Sequence, residues 1–105
     1  MAERAYVVLM RVHLHFPMAG SLKAKRSELN AVKALLRERL HVSAAEVAYQ
    51  DTWQRSTLAV AIAAGTAAGA EHAADEVQRA LDSRLPQGVL VERRLASWAD
   101  LESLG

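Results

Sequence analysis

The chain has 105 residues, of which 51% are hydrophobic and 24% are charged, and it carries a formal net charge of +1 at pH 7. This length and composition favour one folded domain and exclude an intrinsically disordered chain. The sequence contains no cysteine, which excludes disulfides, thiolate metal sites and thiol nucleophiles.

The charge is unevenly distributed along the chain. Residues 1–55 contain nine Lys/Arg and five Asp/Glu, a balance of +4, whereas residues 56–105 contain four and seven, a balance of −3. The apolar runs are too short or too rich in alanine to span a bilayer, and the N-terminus lacks the layout of a signal peptide. We therefore expect a cytoplasmic protein that has no contact with a membrane and whose first half could meet an anionic partner.

The first predicted element is a long strand from Ala5 to Phe16, because apolar residues alternate there with period two. One face is entirely apolar and should lie in the core. The other face begins with Val7 and Leu9 and continues with Arg11, His13 and His15. This second face therefore changes from apolar to polar along the strand.

A helix is predicted from Leu22 to Leu40, after "PMAG" breaks the strand and Ser21 supplies a cap. Its apolar residues follow the 3.6-residue period and form one stripe. A row of cations flanks that stripe. The row consists of Arg26, Lys33 and Arg37.

Two further strands are predicted at 45–49 and 56–64, joined by the polar turn "QDTWQR". Leu58, Val60 and Ile62 should face the core. The opposite face of the third strand is smooth because its residues are small. They are Thr57, Ala59, Ala61 and Ala63.

The second helix is predicted from "GTAAGAEHAADEVQRALDSR", with Thr66 as its cap, and the fourth strand from residues 89–95. Ala70, Ala73, Val77 and Leu81 should face inward. The resulting order, βαββαβ, predicts an α+β ferredoxin-like sandwich with two helices on one face of a four-stranded antiparallel sheet. We assign residues 1–95 to this domain and 96–105 to a short tail.

The segment "SLKAKR" is the strongest candidate for an anion site. A helix N-terminus already offers unpaired N–H groups, and Lys23, Lys25 and Arg26 would strengthen its attraction for phosphate. Lys25 lies close to the apolar stripe, where a charge must extend to the surface or find a partner. A solvated basic helix start explains the same residues, so both interpretations stay open.

The basic row and the turn after the second strand suggest contact with nucleic acid. Cations spaced over three helical turns can follow a phosphate backbone, and Trp53 with Arg55 can stack on a base. The alternatives are a charged flank of a surface helix, and a turn in which Asp51 pairs with Arg55. The predicted anion or nucleic-acid site comprises Ser21, Lys23, Lys25, Arg26, Lys33, Arg37, Trp53 and Arg55.

A sheet face that the helices leave open must meet water, a ligand or another subunit. Its small and apolar residues permit close approach by a second copy or a protein partner. The predicted oligomer interface comprises Val7, Leu9, Thr57, Ala59 and Ala61.

Enzymatic function is the less favoured interpretation. No nucleophile elbow, glycine-rich phosphate loop or paired metal motif is present in the sequence. His13 and His15 have a spacing that could bind a metal, but a polar sheet face explains them better. We expect no catalytic residue, metal or cofactor, and keep a small phosphorylated ligand at Ser21 as a third alternative.

The motifs "HLHFP", "SLKAKR" and "YQDTWQR" together resemble the YlxP-like family of small bacterial proteins of unknown function, over residues 6–95. The resemblance implies a ferredoxin-like fold and no established enzyme activity. Family members are often encoded beside translation-initiation and ribosome-maturation factors. This context suggests a partner that is RNA or a ribosomal component.

Overall fold

Four antiparallel strands and their connecting helices account for most of residues 3–104, the part of the chain that this computed structural model describes. The elements follow one another in the predicted order. They are β1 (Tyr6–His15), α1 (Leu22–Ala34), a π-helical turn (Leu35–Arg39), β2 (Ser43–Ala48), β3 (Arg55–Ala64), α2 (Ala67–Arg84), β4 (Leu90–Ser97) and α3 (Trp98–Glu102).

The strands lie in the order β2-β3-β1-β4, and each pairs with its neighbour in antiparallel fashion. Helix α1 connects the central strand β1 to the edge strand β2, and α2 connects β3 to the other edge, β4. Each crossover therefore skips a strand. The arrangement confirms the α+β fold and is consistent with the ferredoxin-like order predicted from the sequence.

The core lies between the helices and one sheet face. Every second residue of β1 from Val8 to Leu14 is at most 2% exposed, and the inward residues of β3 from Leu58 to Ile62 are at most 5% exposed. Burial at this spacing is the direct result of the two-residue period of a strand. The predicted inward face of each central strand is therefore confirmed.

Helix α1 ends earlier than the predicted helix because its hydrogen bonding changes. After Ala34 the backbone widens into the π-helical turn, in which the Leu40 N–H donates to the Leu35 carbonyl. The apolar stripe continues through this turn, with Leu36 fully buried. His41 then adopts a positive φ of 56°, which ends the helical segment before β2.

Helix α2 begins as predicted, with the Thr66 hydroxyl accepting a hydrogen bond from the Gly69 N–H. Its buried face contains Ala70, Ala74, Val77 and Leu81. Ala73, which we also expected to face inward, is half-buried and packs against the core.

Strand β4 extends to Ser97, two residues beyond its predicted end, and α3 follows at once. Residues 96 and 97, assigned to the tail from the sequence, therefore continue the sheet. Ser97 and Asp100 form a capping box for α3, and the Trp98 N–H donates to the Ala5 carbonyl. Within residues 3–104, none of the helices combines the length and hydropathy that crossing a membrane requires.

Candidate nucleic-acid interface

Lys25 lies in the core, not on the surface. Its residue is 1% exposed, and it occupies the buried stripe of α1 with Leu29 and Val32. The ammonium group donates to the Tyr49 and Gln50 carbonyls and lies 3.2 Å from Glu46 Oε2. Lys25 therefore does not extend to solvent, which corrects the expectation of a solvated lysine; of the two alternatives for a charge beside the apolar stripe, it has found a partner inside the protein.

Glu46 on β2 compensates the buried charge of Lys25. The Glu46 side chain is 12% exposed, and its Oε2 accepts a hydrogen bond of 2.7 Å from the hydroxyl of Ser56, a residue that is 1% exposed. Burial alone would raise the Glu46 pKa, but hydrogen bonds from Ser56 and Lys25 hold the pKa below its usual value of 4.5. The Glu46 carboxylate is therefore ionised at neutral pH.

Ser21 acts as the cap of α1. Its backbone is extended, its hydroxyl accepts a 3.0 Å hydrogen bond from the Ala24 N–H, and its carbonyl accepts one from the Lys25 N–H. The hydroxyl thus satisfies one of the unpaired donors of the helix start. A phosphate at this position would find the Lys25 ammonium engaged, whereas the Ser21 hydroxyl still has its own proton to donate.

The remaining cations of α1 lie on the surface along one flank. Lys23 and Arg26 are exposed and Lys33 is half-buried. At 100° per residue these positions and Asn30 fall on one side of the buried stripe, whereas Glu28 falls on the other. The ion pairs formed within residues 3–104 include none of these three cations.

Arg37 continues this basic flank and contacts the edge strand β2. Its Nε and Nη2 both donate to the Ala44 carbonyl, and the side chain otherwise remains exposed. The charge of Lys33 also contributes to the lowering of the Glu46 pKa. The predicted row is therefore present, although Arg37 already uses part of its guanidinium on the protein.

The loop between β2 and β3 exposes an aromatic surface at the end of the molecule where α1 begins. Trp53 is 52% exposed, and the Arg55 guanidinium lies 4.3 Å above the centre of the Tyr49 ring. Arg55 thus stacks on Tyr49 and does not form the alternative pair with Asp51. The Gln54 side chain donates to the Pro17 carbonyl, so the loop packs against the segment that leads into α1.

The open face of the sheet begins at Arg55, which pairs with His15, and its apolar part lies further along the strands. Leu9 is 51% exposed, and Val7, Ala59 and Ala61 are half-buried beside it. Thr57 is only 4% exposed and is therefore not an accessible part of the predicted oligomer interface.

Thr57 is buried because a polar network covers it. Glu92 accepts hydrogen bonds from Arg11, at 2.8 and 3.0 Å, and from His13 Nε2, at 2.8 Å. His13 Nδ1 lies 3.2 Å from the Thr57 hydroxyl, within hydrogen-bond distance. The bonds from His13 and Arg11 hold the Glu92 pKa below its usual value.

The two histidines of β1 differ in environment. His13 belongs to the network with Glu92, whereas His15 is exposed opposite Arg55 in the strand pairing. Residues 3–104 contain no cluster of three or more His, Asp or Glu side chains arranged to hold a metal ion.

Sequence reasoning missed Glu46, Ser56 and Glu92. A signal was present for Glu46, because period two places it on the same face of β2 as the buried Ala44. A carboxylate at an inward position of one element and a lysine in the apolar stripe of another indicate a buried ion pair. Glu92 carried no such signal, since its partners depend on strand register.

The fold and these contacts define a small ferredoxin-like α+β protein with a basic, aromatic end and an open sheet face. The chain belongs to a family described as a protein of unknown function, DUF503, whose model matches residues 7–94. It is 35% identical over 65 residues to the uncharacterized protein YlxP of Bacillus subtilis strain 168, a match that covers 62% of this chain and 71% of YlxP.

A solved structure supports the fold alone. The de novo designed protein Foldit4 superposes with a TM-score of 0.56 at 15% identity, covering 89% of this chain and 97% of the designed one. The relatives therefore establish the family and the architecture, and they bring no activity with them.

Proposed function

We propose that the protein is a non-enzymatic accessory protein of the cytoplasm that binds RNA or a ribonucleoprotein through α1 and the β2–β3 loop. The observation that supports this most is the exposure of Trp53, which is half exposed in the β2–β3 loop whose two ends carry Tyr49 and Arg55, the stacked pair, at the end of the molecule where α1 begins. Cations that follow a phosphate backbone beside an aromatic side chain are the two elements of single-strand recognition.

The cations and the loop would contribute in different ways. Lys23, Arg26 and Lys33 offer charges outside the protein's own ion pairs, and each phosphate contact releases a counterion from the RNA. Trp53 offers an apolar ring on which a base can stack without regard to sequence. Lys25 takes no part in phosphate contact in this proposal, because its ammonium is engaged inside the protein, and Ser21 is assigned to capping the helix.

Salt dependence separates phosphate contacts from other binding. Fluorescein-labelled single-stranded RNA should bind with an affinity that falls steeply as salt rises. Arg26→Ala and Lys33→Ala should each reduce the slope of log affinity against log salt by about 0.7, the value for one lost phosphate contact on a single strand. Arg79→Ala, which removes an exposed cation from α2, is the matched control and should leave the slope unchanged.

The stacking role is tested by comparing the two exposed tryptophans. Trp53→Ala should weaken RNA binding roughly 5- to 150-fold, as expected for the loss of one base–aromatic stack, with the salt slope unchanged. Trp98→Ala is the control, because Trp98 is 57% exposed at the opposite end of β1. Equal losses from both substitutions would contradict the assigned interface, as would RNA binding that ignores salt.

A second candidate function is self-association through the open sheet face. Leu9 is 51% exposed at its centre, long side chains cover the β1–β4 half, and Ala59 and Ala61 leave the β3 half low. A twofold axis between two facing sheets would place the long side chains of β1 and β4 in one copy against the alanines of β3 in the other. The four strands contain 10, 6, 10 and 8 residues. At the rise and spacing of a β-sheet they span roughly 550 Å² in plan, below the ~800 Å² per partner of standard interfaces.

Sedimentation equilibrium tests this second candidate. Dimers that dissociate on Ala59→Lys but not on Ala68→Lys, an exposed position in α2, would support it. A monomer at high concentration, with Ala59→Lys causing no change, would remove it. The two functions use different residues, so either can hold without the other.

A further inference from the structure

The loop that carries Trp53 is fixed at both of its ends. At the end that leads into β3, the Phe16 N–H donates to the Gln54 carbonyl, and the Gln54 side-chain amide donates to the Pro17 and Ala19 carbonyls. At its start, the Lys25 ammonium donates to the Tyr49 and Gln50 carbonyls. Lys25 is therefore the group from α1 that determines where the loop leaves β2.

Tyr49 needs such a restraint because its backbone conformation is unusual. Its φ is 62°, in the left-handed region that large side chains rarely occupy. The Tyr49 carbonyl accepts hydrogen bonds from Lys25 and from the Thr52 N–H, and its ring supports the Arg55 guanidinium. A chain of contacts thus runs from the buried ammonium through the Tyr49 backbone and ring to Arg55.

Packing alone does not require a lysine at this position. An apolar side chain would continue the stripe of Leu29 and Val32 without a buried charge, and apolar replacements of buried ion pairs are often tolerated. What the lysine adds is donors for carbonyls at a point where the chain leaves the sheet. Glu46 and Ser56 serve this arrangement, since they neutralise and hold the charge that the donors bring.

We propose that Lys25 is a positioning residue, which acts through the backbone of Tyr49 and Gln50 to hold Trp53 and Arg55 in place for a single-stranded RNA. This inference rests on the proposed function for its ligand, but not for its structural consequence. Lys25 touches no phosphate, and its contribution to RNA affinity passes through the loop. Replacing Lys25 should therefore lower RNA affinity without changing its salt dependence, whereas replacing a surface cation changes the salt dependence.

Backbone ¹⁵N relaxation tests the structural consequence. In the wild-type chain, residues 50–53 should have order parameters near 0.85, like those of β3, and Lys25→Met combined with Glu46→Gln should lower them below about 0.6. Glu46→Gln alone is the control, because it keeps the lysine and its two carbonyl bonds. A mobile loop in the wild-type chain, or a loop that stays rigid in the double variant, would overturn the inference.

RNA affinity tests the functional consequence with the same variants. The double variant should lose as much affinity for labelled single-stranded RNA as Trp53→Ala, within about twofold, while the salt slope stays that of the wild type. A slope lowered by about 0.7 would show that Lys25 contacts phosphate and would overturn its role as a positioning residue.

If the double variant does not fold, ¹⁵N relaxation of the wild-type chain still tests the structural claim, because a mobile loop in the wild-type chain would overturn it. If the wild-type chain binds no RNA while relaxation gives the expected loop rigidity, the proposed function fails and the positioning of the loop by Lys25 stands.

Discussion

The two long helices begin alike but differ one turn later. Ser21 and Thr66 each accept a hydrogen bond from the backbone N–H three residues further on, and the residue four positions after each cap is buried. In α2 that residue is Ala70, and in α1 it is Lys25. The comparison shows that this fold accepts a small apolar side chain at such a position, so the lysine supplies something other than packing.

The surroundings of the two helix starts explain the difference. Lys25 meets Glu46 and two carbonyls of the β2–β3 loop, whereas Ala70 packs among apolar residues of the core cluster. The same element of the fold is therefore specialised at one end of the molecule. That end also carries Trp53 and the exposed cations of α1, which is why we place the function there.

The largest expected effect comes from placing a lysine at the equivalent position of α2. Ala70→Lys should destabilise the protein by about 5 kcal/mol, because overcrowding adds to the cost of a buried charge without a partner. Urea unfolding monitored by circular dichroism measures this loss. A loss below about 1 kcal/mol would show that a lysine needs no dedicated partner at this position.

Removing the lysine from α1 is the converse change. Lys25→Ala should cost about 4 kcal/mol in the free energy of unfolding, since it leaves a cavity and a largely buried Glu46 without its cation. Lys25→Met combined with Glu46→Gln should recover more than half of that loss. Equal instability of the single and double variants would contradict a compensated pair.

The pH dependence of stability sharpens the comparison further. The Glu46 pKa is lower in the folded protein than its usual 4.5, so its contribution is complete above 4.5 and disappears as the pH falls through the folded value. Glu46→Gln should cost about 2 kcal/mol at neutral pH, as for hydrogen bonds to a charged group, and progressively less in acid. Urea midpoints of the wild type and of Glu46→Gln at a series of pH values should approach each other in acid. A difference in midpoint that stays constant with pH would contradict this prediction.

The smallest expected effects concern the caps, which the two helices share. Ser21→Ala and Thr66→Ala should each cost about 1 kcal/mol of stability, with Ser21→Gly and Thr66→Gly costing only a few tenths. Ser21→Ala should leave the affinity for RNA unchanged, because the hydroxyl serves the Ala24 N–H. A strong loss of RNA binding in this variant would assign Ser21 to phosphate contact after all.

Most of the fold could be predicted because its signals are local. The alternation along β1 and the 3.6-residue stripe of α2 indicated both the elements and their buried faces. The π-helical turn at Leu35–Arg39 was not predictable, since the apolar stripe runs through it unchanged. The end of β4 was misplaced because Ala96 and Ser97 continue the strand only through pairing with Val7 and Tyr6.

The candidate site was predictable only in part. The sequence identified the flank of Arg26 and Lys33 and the exposed Trp53, because surface rows and polar turns follow local patterns. It also indicated that Lys25 was unusual. The inward position of Glu46 on β2 was a signal for a partner, but the contact itself joins α1 to β2 across 21 positions of the chain and depends on packing.

Ultraviolet crosslinking in the native cells, followed by mapping of the RNA-linked peptides, tests the proposed interface most directly. The account predicts that nucleotides attach to the peptide containing Trp53 and to the peptide containing Lys23 and Arg26. Recovery of no RNA, or attachment confined to the open sheet face around Leu9, would contradict it.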